Sequence, residues 1–222
     1  MGFDFDVILS KQDQLISGIA MTIFVWVVGT LLAALIGFIV ATARRYGGVL
    51  VDKALTVPIE VIRGTPFLVQ LFLLYFGGPY IGLSLDALPA GLLALSVYGA
   101  AYFAEIFRAG YQSVPPGHVE AAECLGFTRI QIIRNILLPE MALLVIPPSV
   151  NMAIILLKET ALLSLITVPE MTMTASAIGS QEYAFVEAMV LIALVYWVLV
   201  ELAGLLGRFA EKKLSRYRLA KA

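Results

Sequence analysis

Apolar residues along this chain fall in long continuous runs rather than in alternation. Five runs stand out, at about 15–43, 54–76, 87–109, 140–166 and 183–206. Each reaches the ~20 residues a helix needs to cross a bilayer, so each predicts a membrane-spanning helix. A β-barrel is excluded, because barrel strands alternate apolar and polar positions. The first run has no charge inside it, and Gly29, Ala33 and Gly37 form a small-residue stripe that predicts close helix packing. The second contains Pro58, Gly64 and Pro66, and it carries Glu60 and Arg63 at a spacing that lets them pair on one helix face. An ion at mid-membrane costs about 2.5–3.5 kcal/mol, so this pair belongs inside a bundle or beside a wet cavity. The third run ends on Glu105 and Arg108, at the same spacing, which reads as an ion pair at the membrane interface.

The fourth run holds Pro147 and Pro148, which predict a kink or a loosened turn. It also holds Asn151, Lys158, Glu159, Thr160 and Ser164. Asn151 and Glu159 lie about two turns apart on nearly one face, a polar stripe on an otherwise apolar helix. Residues 77–86 and 167–182 read as loops, and neither contains Lys or Arg. Near the N-terminus, Phe3, Phe5, Val7 and Ile8 read as a short segment on the membrane surface.

Between the third and fourth runs lies a polar interval at 115–139. Pro115-Pro116-Gly117 opens it and Pro139 is expected to close it. Two short helices are predicted inside. The first covers His118 to Leu125 and stops at Gly126, since glycine enters the left-handed cap without a Cβ penalty. The second starts at Thr128, where Thr128 and Gln131 fit a capping box and Ile130, Ile133, Ile136 and Leu137 recur at helical spacing.

Charge orients the runs. Apart from Lys11, Arg63 and Lys158, every Lys and Arg falls at 44–53, 108–134 or in the C-terminal tail. Five spans with the N-terminus outside and the C-terminus in the cytoplasm put these on the inner side, as the positive-inside bias requires. The 115–139 interval then faces the cytoplasm.

Composition fixes the class. The chain has 222 residues, of which 60% are hydrophobic and 14% charged, and a mean hydropathy of +0.93. That is an all-α polytopic membrane protein. A net charge of −1 gives no reason to expect nucleic acid. The lone Cys124 and lone His118 exclude an internal disulfide and a clustered His/Cys metal site. No phosphate-binding loop of the G-x-x-x-x-G-K-[ST] type is present, and neither Gly-x-Ser-x-Gly nor His-Glu-x-x-His occurs, so no enzymatic centre is expected.

One spacing is more specific. Glu120-Ala121-Ala122, three residues, Gly126, nine residues, Ile136, one residue and Leu138-Pro139 resembles the EAA loop of ABC-importer membrane subunits. In that family the loop is a cytoplasmic coupling helix seated in a groove of the ATPase. The stretch Glu60 to Leu71 and the run Leu157 to Ser164 are similar to signatures of importers for polar amino acids of the histidine, glutamine and arginine group. The resemblance covers nearly the whole chain. It implies a type I ABC-importer-like permease in a prokaryotic inner membrane, with ATP and magnesium bound on a separate ATPase dimer rather than here. It further implies a second permease subunit, identical or paralogous, and an extracytoplasmic binding protein. A zwitterionic substrate needs donors for its carboxylate and an acceptor for its ammonium. Arg63, Thr65 and Gln70 on the second span, with Glu60 beside them, and Asn151, Lys158, Glu159, Thr160 and Ser164 on the fourth supply both. The competing class is a secondary transporter or channel driven by an ion gradient, with the intramembrane ions as a relay. The odd span number and the lack of an inverted repeat weigh against it.

Overall fold

A computed structural model describes residues 10–219, and no strand occurs among them. The surface segment expected around Phe3 to Ile8 lies outside the described residues. In chain order the helices are α1 (Gln12–Tyr46), α2 (Gly48–Arg63), α3 (Phe67–Phe72), α4 (Ala87–Ser113), α5 (Pro116–Cys124), α6 (Arg129–Ile132), α7 (Leu138–Glu159), α8 (Met171–Gln181) and α9 (Phe185–Leu219). Four stretches, Gln12–Tyr46, Ala87–Ser113, Leu144–Ile166 and Phe185–Lys212, are long and apolar enough to cross a membrane.

The small-residue stripe sets the frame. Gly29, Ala33 and Gly37 are buried along α1, and they face α4. A Cβ at Gly29 would meet Leu95 at 2.7 Å, and one at Gly37 would meet the Ala100 carbonyl at 2.9 Å, so the helices approach backbone to backbone. Gly29 meets Leu95, Ala33 meets Gly99 and Gly37 meets Phe103, so α1 and α4 run parallel. Helix α7 runs the other way: its Val145 packs on Gly110 and its Leu156 on Gly99. Helix α9 reverses again, with Tyr196 beside Thr160 and Gly207 against Val150. The end of α1, the α4–α7 connection and the C-terminal part of α9 therefore share one end of the bundle.

The second apolar run is not one straight helix. Helix α2 ends at Arg63, and the following segment from Phe67 to Ile81 leaves it at 103°. Thr65 precedes Pro66, which disfavours the helical region at Thr65, and Pro66 itself is extended at ψ 139°. The carbonyls freed by the break are answered locally. Gln70 donates from Nε2 to the Ile62 carbonyl at 2.7 Å and to Thr65 Oγ1 at 2.7 Å. A π-helical turn, Leu73–Gly77, and a 3-10 turn, Gly78–Ile81, complete the segment.

Two further expectations need correction. Pro139 does not close the polar interval. The chain stays helical from Arg129 through a π turn at Ile133–Leu137 directly into α7. Pro139 has no N–H to bond back to the preceding turn, and the wider π turn before it accommodates the ring against the preceding backbone. Residues 171–181, read as loop, form α8. Pro147 and Pro148 lie inside α7, which stays helical through both, and the helix tightens into a 3-10 segment only at Thr160–Ile166.

Candidate functional site

The polar interval folds into two capped helices that project from the shared end of the bundle. Pro116 occupies the first position of α5, where a helix tolerates proline best. At the far end Gly126 takes φ +79°, in the left-handed region. Its N–H bonds to the Glu123 carbonyl at 2.9 Å, and the Phe127 N–H reaches back to Ala122 at 3.1 Å. Together these form a Schellman cap. Two residues later Thr128 opens α6 with both halves of a capping box: the Gln131 N–H to Thr128 Oγ1 at 3.4 Å, and the Thr128 N–H to Gln131 Oε1 at 2.7 Å. The turn between the helices is thus specified on one side by backbone hydrogen bonds and on the other by side chains that accept from backbone N–H groups.

The faces of α5 differ. Ala122 is 2% exposed and packs with Tyr111, Val114, Ile132, Leu137 and Met141 under the bundle. Glu120, Ala121, Glu123, Cys124 and Gly126 are exposed. Ile136 is half-buried against the same core, whereas Leu138 and Pro139 are exposed. His118 Nδ1 lies 2.9 Å from Glu140, a link across the interval that the sequence pattern did not suggest. The result is a rigid, anchored helix with a free polar face.

The second group of candidate residues is divided by the structure. Arg63 is not paired with Glu60. Its guanidinium lies over the Tyr102 ring at 5.4 Å and reaches Glu105 at 3.9 Å, while Glu60 points to the exposed side of α2. Glu105 also takes Arg108 at 2.7 Å and Arg44, so three arginines from three helices converge on it. Arg44 further donates to Asp52 at 2.7 Å and to Thr56 at 2.9 Å, fixing α1 to the start of α2. The Glu105–Arg108 pair expected from sequence is therefore one edge of a larger cluster.

From Arg63 a line of hydroxyls runs inward. Tyr102 donates to the Arg63 carbonyl at 3.4 Å, Tyr98 donates to Tyr102 at 3.4 Å, and Glu159 lies within electrostatic reach of Tyr98. Glu159 is half-buried, and Lys158 and Asn151 are exposed. Thr65 and Gln70 are engaged at the α2–α3 break, and Ser164 donates to the Ala161 carbonyl at 2.7 Å. Thr160 is fully buried, with its hydroxyl on the Leu157 carbonyl at 2.7 Å and beside Tyr196 at 3.2 Å. Tyr98 and Tyr102 were missed in the sequence, although their spacing of four in an apolar helix marks one polar-tipped face.

At the opposite end of the bundle Glu170 is fully buried. Its carboxylate caps α8, accepting from the N–H groups of Thr172 and Met173, each at 2.8 Å, and from Tyr196 Oη at 2.9 Å. Thr22 of α1 accepts from the Met171 N–H at 3.0 Å beside it. Burial pushes the Glu170 carboxyl above its ordinary range, and those hydrogen bonds oppose the rise.

Residues 33–216 match the family model described as binding-protein-dependent transport system inner membrane component. The chain belongs to this family. It is therefore a multi-pass inner-membrane permease subunit of an ABC importer. Among its relatives, a probable amino-acid ABC transporter permease, YckA of Bacillus subtilis, is 35% identical over 97% of this chain and 95% of that protein. The arginine transport system permease ArtQ of the same organism is 31% identical over 97% and 99%. The glutamine transport system permease GlnP of Escherichia coli is 32% identical over 97% and 99%. A crystal structure of an amino acid ABC transporter with histidines superposes with a TM-score of 0.86 at 34% identity, covering 96% of this permease and all of that chain. The permease thus shares both fold and sequence with amino-acid importers along almost its whole length, and α5 carries the family's Glu-Ala-Ala pattern on a ready-made helix.

Proposed function

We propose that this permease imports polar or basic amino acids as one of two membrane subunits, driven by a separate cytoplasmic ATPase dimer that binds ATP and magnesium. An extracytoplasmic binding protein delivers the substrate. The observation that carries the reading is α5: an anchored helix, capped at Gly126, whose exposed face bears Glu120, Ala121 and Glu123. The chain crosses five times, the bent α2–α3 segment serving as one crossing, with the N-terminus outside and the coupling helix and C-terminus in the cytoplasm. The Lys and Arg distribution supports this orientation. ATP binding closes the ATPase dimer and shifts α5, and the helices beyond Gly126 and Pro139 carry the shift into the bundle.

For the substrate, Arg63 and Glu159 are the strongest pair, since one supplies a donor for a carboxylate and the other an acceptor for an ammonium group. Tyr98 and Tyr102 line the path between them. Thr65, Gln70 and Thr160 support that path from within the protein, and Glu60, Asn151, Lys158 and Ser164 are candidates on its margins. Relatives named for arginine and glutamine transport support a polar amino acid as cargo.

The test is uptake of labelled arginine, histidine and glutamine by the complete complex in proteoliposomes. Accumulation is expected with internal ATP and binding protein, and none with a proton or sodium gradient alone. Gradient-driven uptake without ATP overturns the reading. Glu159→Gln is expected to abolish uptake while leaving the complex assembled, and unchanged uptake and selectivity would remove Glu159 from the path.

A further inference from the structure

A stack of alternating cations and aromatic rings stands outside both groups of residues above. The Arg129 guanidinium, at the first position of α6, lies 5.7 Å from the centre of the Tyr46 ring. On Tyr46 also sits Arg45, at 5.7 Å, and Arg45 in turn lies 5.3 Å from the Tyr111 ring. Arg45 donates to the Tyr111 carbonyl at 3.2 Å, and the Tyr111 hydroxyl shares a hydrogen bond with Thr42 at 2.8 Å. Arg129–Tyr46–Arg45–Tyr111 thus joins three elements: the helix after the coupling turn, the last turn of α1 and the last turn of α4.

Each end of this stack is stiff. Arg129 directly follows Thr128, whose capping box fixes the start of α6, so Arg129 moves with the Gly126 turn. Tyr46 ends a 35-residue helix that is locked to α4 by its small-residue stripe. Apolar packing around Ala122 gathers Ala41 and Phe38 of α1 with α4 and α7, and the Arg129–Tyr46 contact adds a directional link from α6 to the last turn of α1. A cation on a ring face is held by the ring's quadrupole, which an aliphatic side chain lacks.

From this geometry we infer that Tyr46 is a positioning residue for transport: its ring couples displacement of α5–α6 to α1, so that α1 and α4 move together when the ATPase closes. This rests on the coupling role proposed for α5. The ring, not the hydroxyl, does the coupling, because both cations address the ring and no hydrogen bond involves the Tyr46 hydroxyl among the described residues.

The experiment measures amino acid taken up per ATP hydrolysed by the full complex in proteoliposomes, using whichever of labelled arginine, histidine and glutamine the wild type accumulates. Tyr46→Leu keeps apolar bulk without a quadrupole and is expected to lower that ratio about fivefold, at the small end of typical coupling between sites. Tyr46→Phe restores the ring and is expected to match the wild type. A wild-type ratio in Tyr46→Leu, or an equal loss in Tyr46→Phe, overturns the inference. If Tyr46→Leu fails to assemble, Arg129→Met decides the matter: it removes the outer cation from an exposed position, a lowered ratio is expected, and an unchanged ratio overturns the inference. Absence of ATP-driven uptake in the wild type would instead count against the functional reading and is distinguishable from these outcomes.

Discussion

The Gly126 turn and the Glu170 corner cap helices at opposite ends of the bundle, and they do it by opposite means. At Gly126 every partner lies within five residues, and the surface is exposed. At Glu170 the partners come from three helices, up to 148 residues away in sequence, and the carboxylate is fully buried. A locally specified element keeps its shape without help from the core, which leaves its outer face free for another protein. A corner specified across the fold holds the helices in register and has no such free face. The contrast separates stability from coupling, and substitutions should separate them too.

The largest effect on stability is expected at the corner. Glu170→Ala removes a helix cap and leaves buried donors without acceptors, which should cost about 2–4 kcal/mol in thermal melts of the purified complex. The pH dependence sharpens this point. Because the folded carboxyl sits above its free value, its contribution is fully present below the free glutamate range and is lost as pH rises through the folded value. The wild-type melting temperature should therefore fall across that range, and the fall should vanish in Glu170→Gln. A fall of equal size in Glu170→Gln would assign it to another group.

Gly126→Val comes next. No atom lies within 4 Å of a Cβ there, so its cost is the left-handed backbone alone, about 1–2 kcal/mol. The complex should still assemble, yet uptake per ATP should collapse. Thr128→Ala, which deletes one half of the capping box, is expected to cost about 1 kcal/mol, read as faster hydrogen exchange at the start of α6. Glu120→Gln should be the mildest, within ~0.5 kcal/mol in the melt, because the side chain is exposed. Any loss of uptake it causes then reports contact with the ATPase. Normal uptake in Gly126→Val would erase the contrast between the two ends.

What the sequence made legible follows the same division. The Schellman glycine at 126 and the Thr128–Gln131 box are readable because each signal spans three to five residues. The Gly29–Ala33–Gly37 stripe is readable because helical spacing puts its members on one face. Partners chosen across the fold are not readable this way. Arg63 prefers Glu105 and the Tyr102 ring over Glu60, one turn away, because α4 brings a carboxylate that already collects Arg44 and Arg108. Helix α8 escaped notice because its Thr, Ser, Ala and Gly residues show little apolar periodicity, and its cap lies in a buried glutamate. Pro139 misled because a π turn before it absorbs what an ordinary α turn would not.

The account depends most on the exposed face of α5 being the seat of the ATPase, and Cys124 reports on it directly, as the only cysteine of the chain and an exposed one. Inverted membrane vesicles and intact cells are treated with a membrane-impermeant maleimide, with and without the ATPase bound. Labelling is expected in inverted vesicles and not in intact cells, and it is slower with the ATPase bound than in stripped vesicles, because a docked interface excludes the reagent. Labelling from the outside of intact cells, or an equal rate with the ATPase in place, would contradict the account.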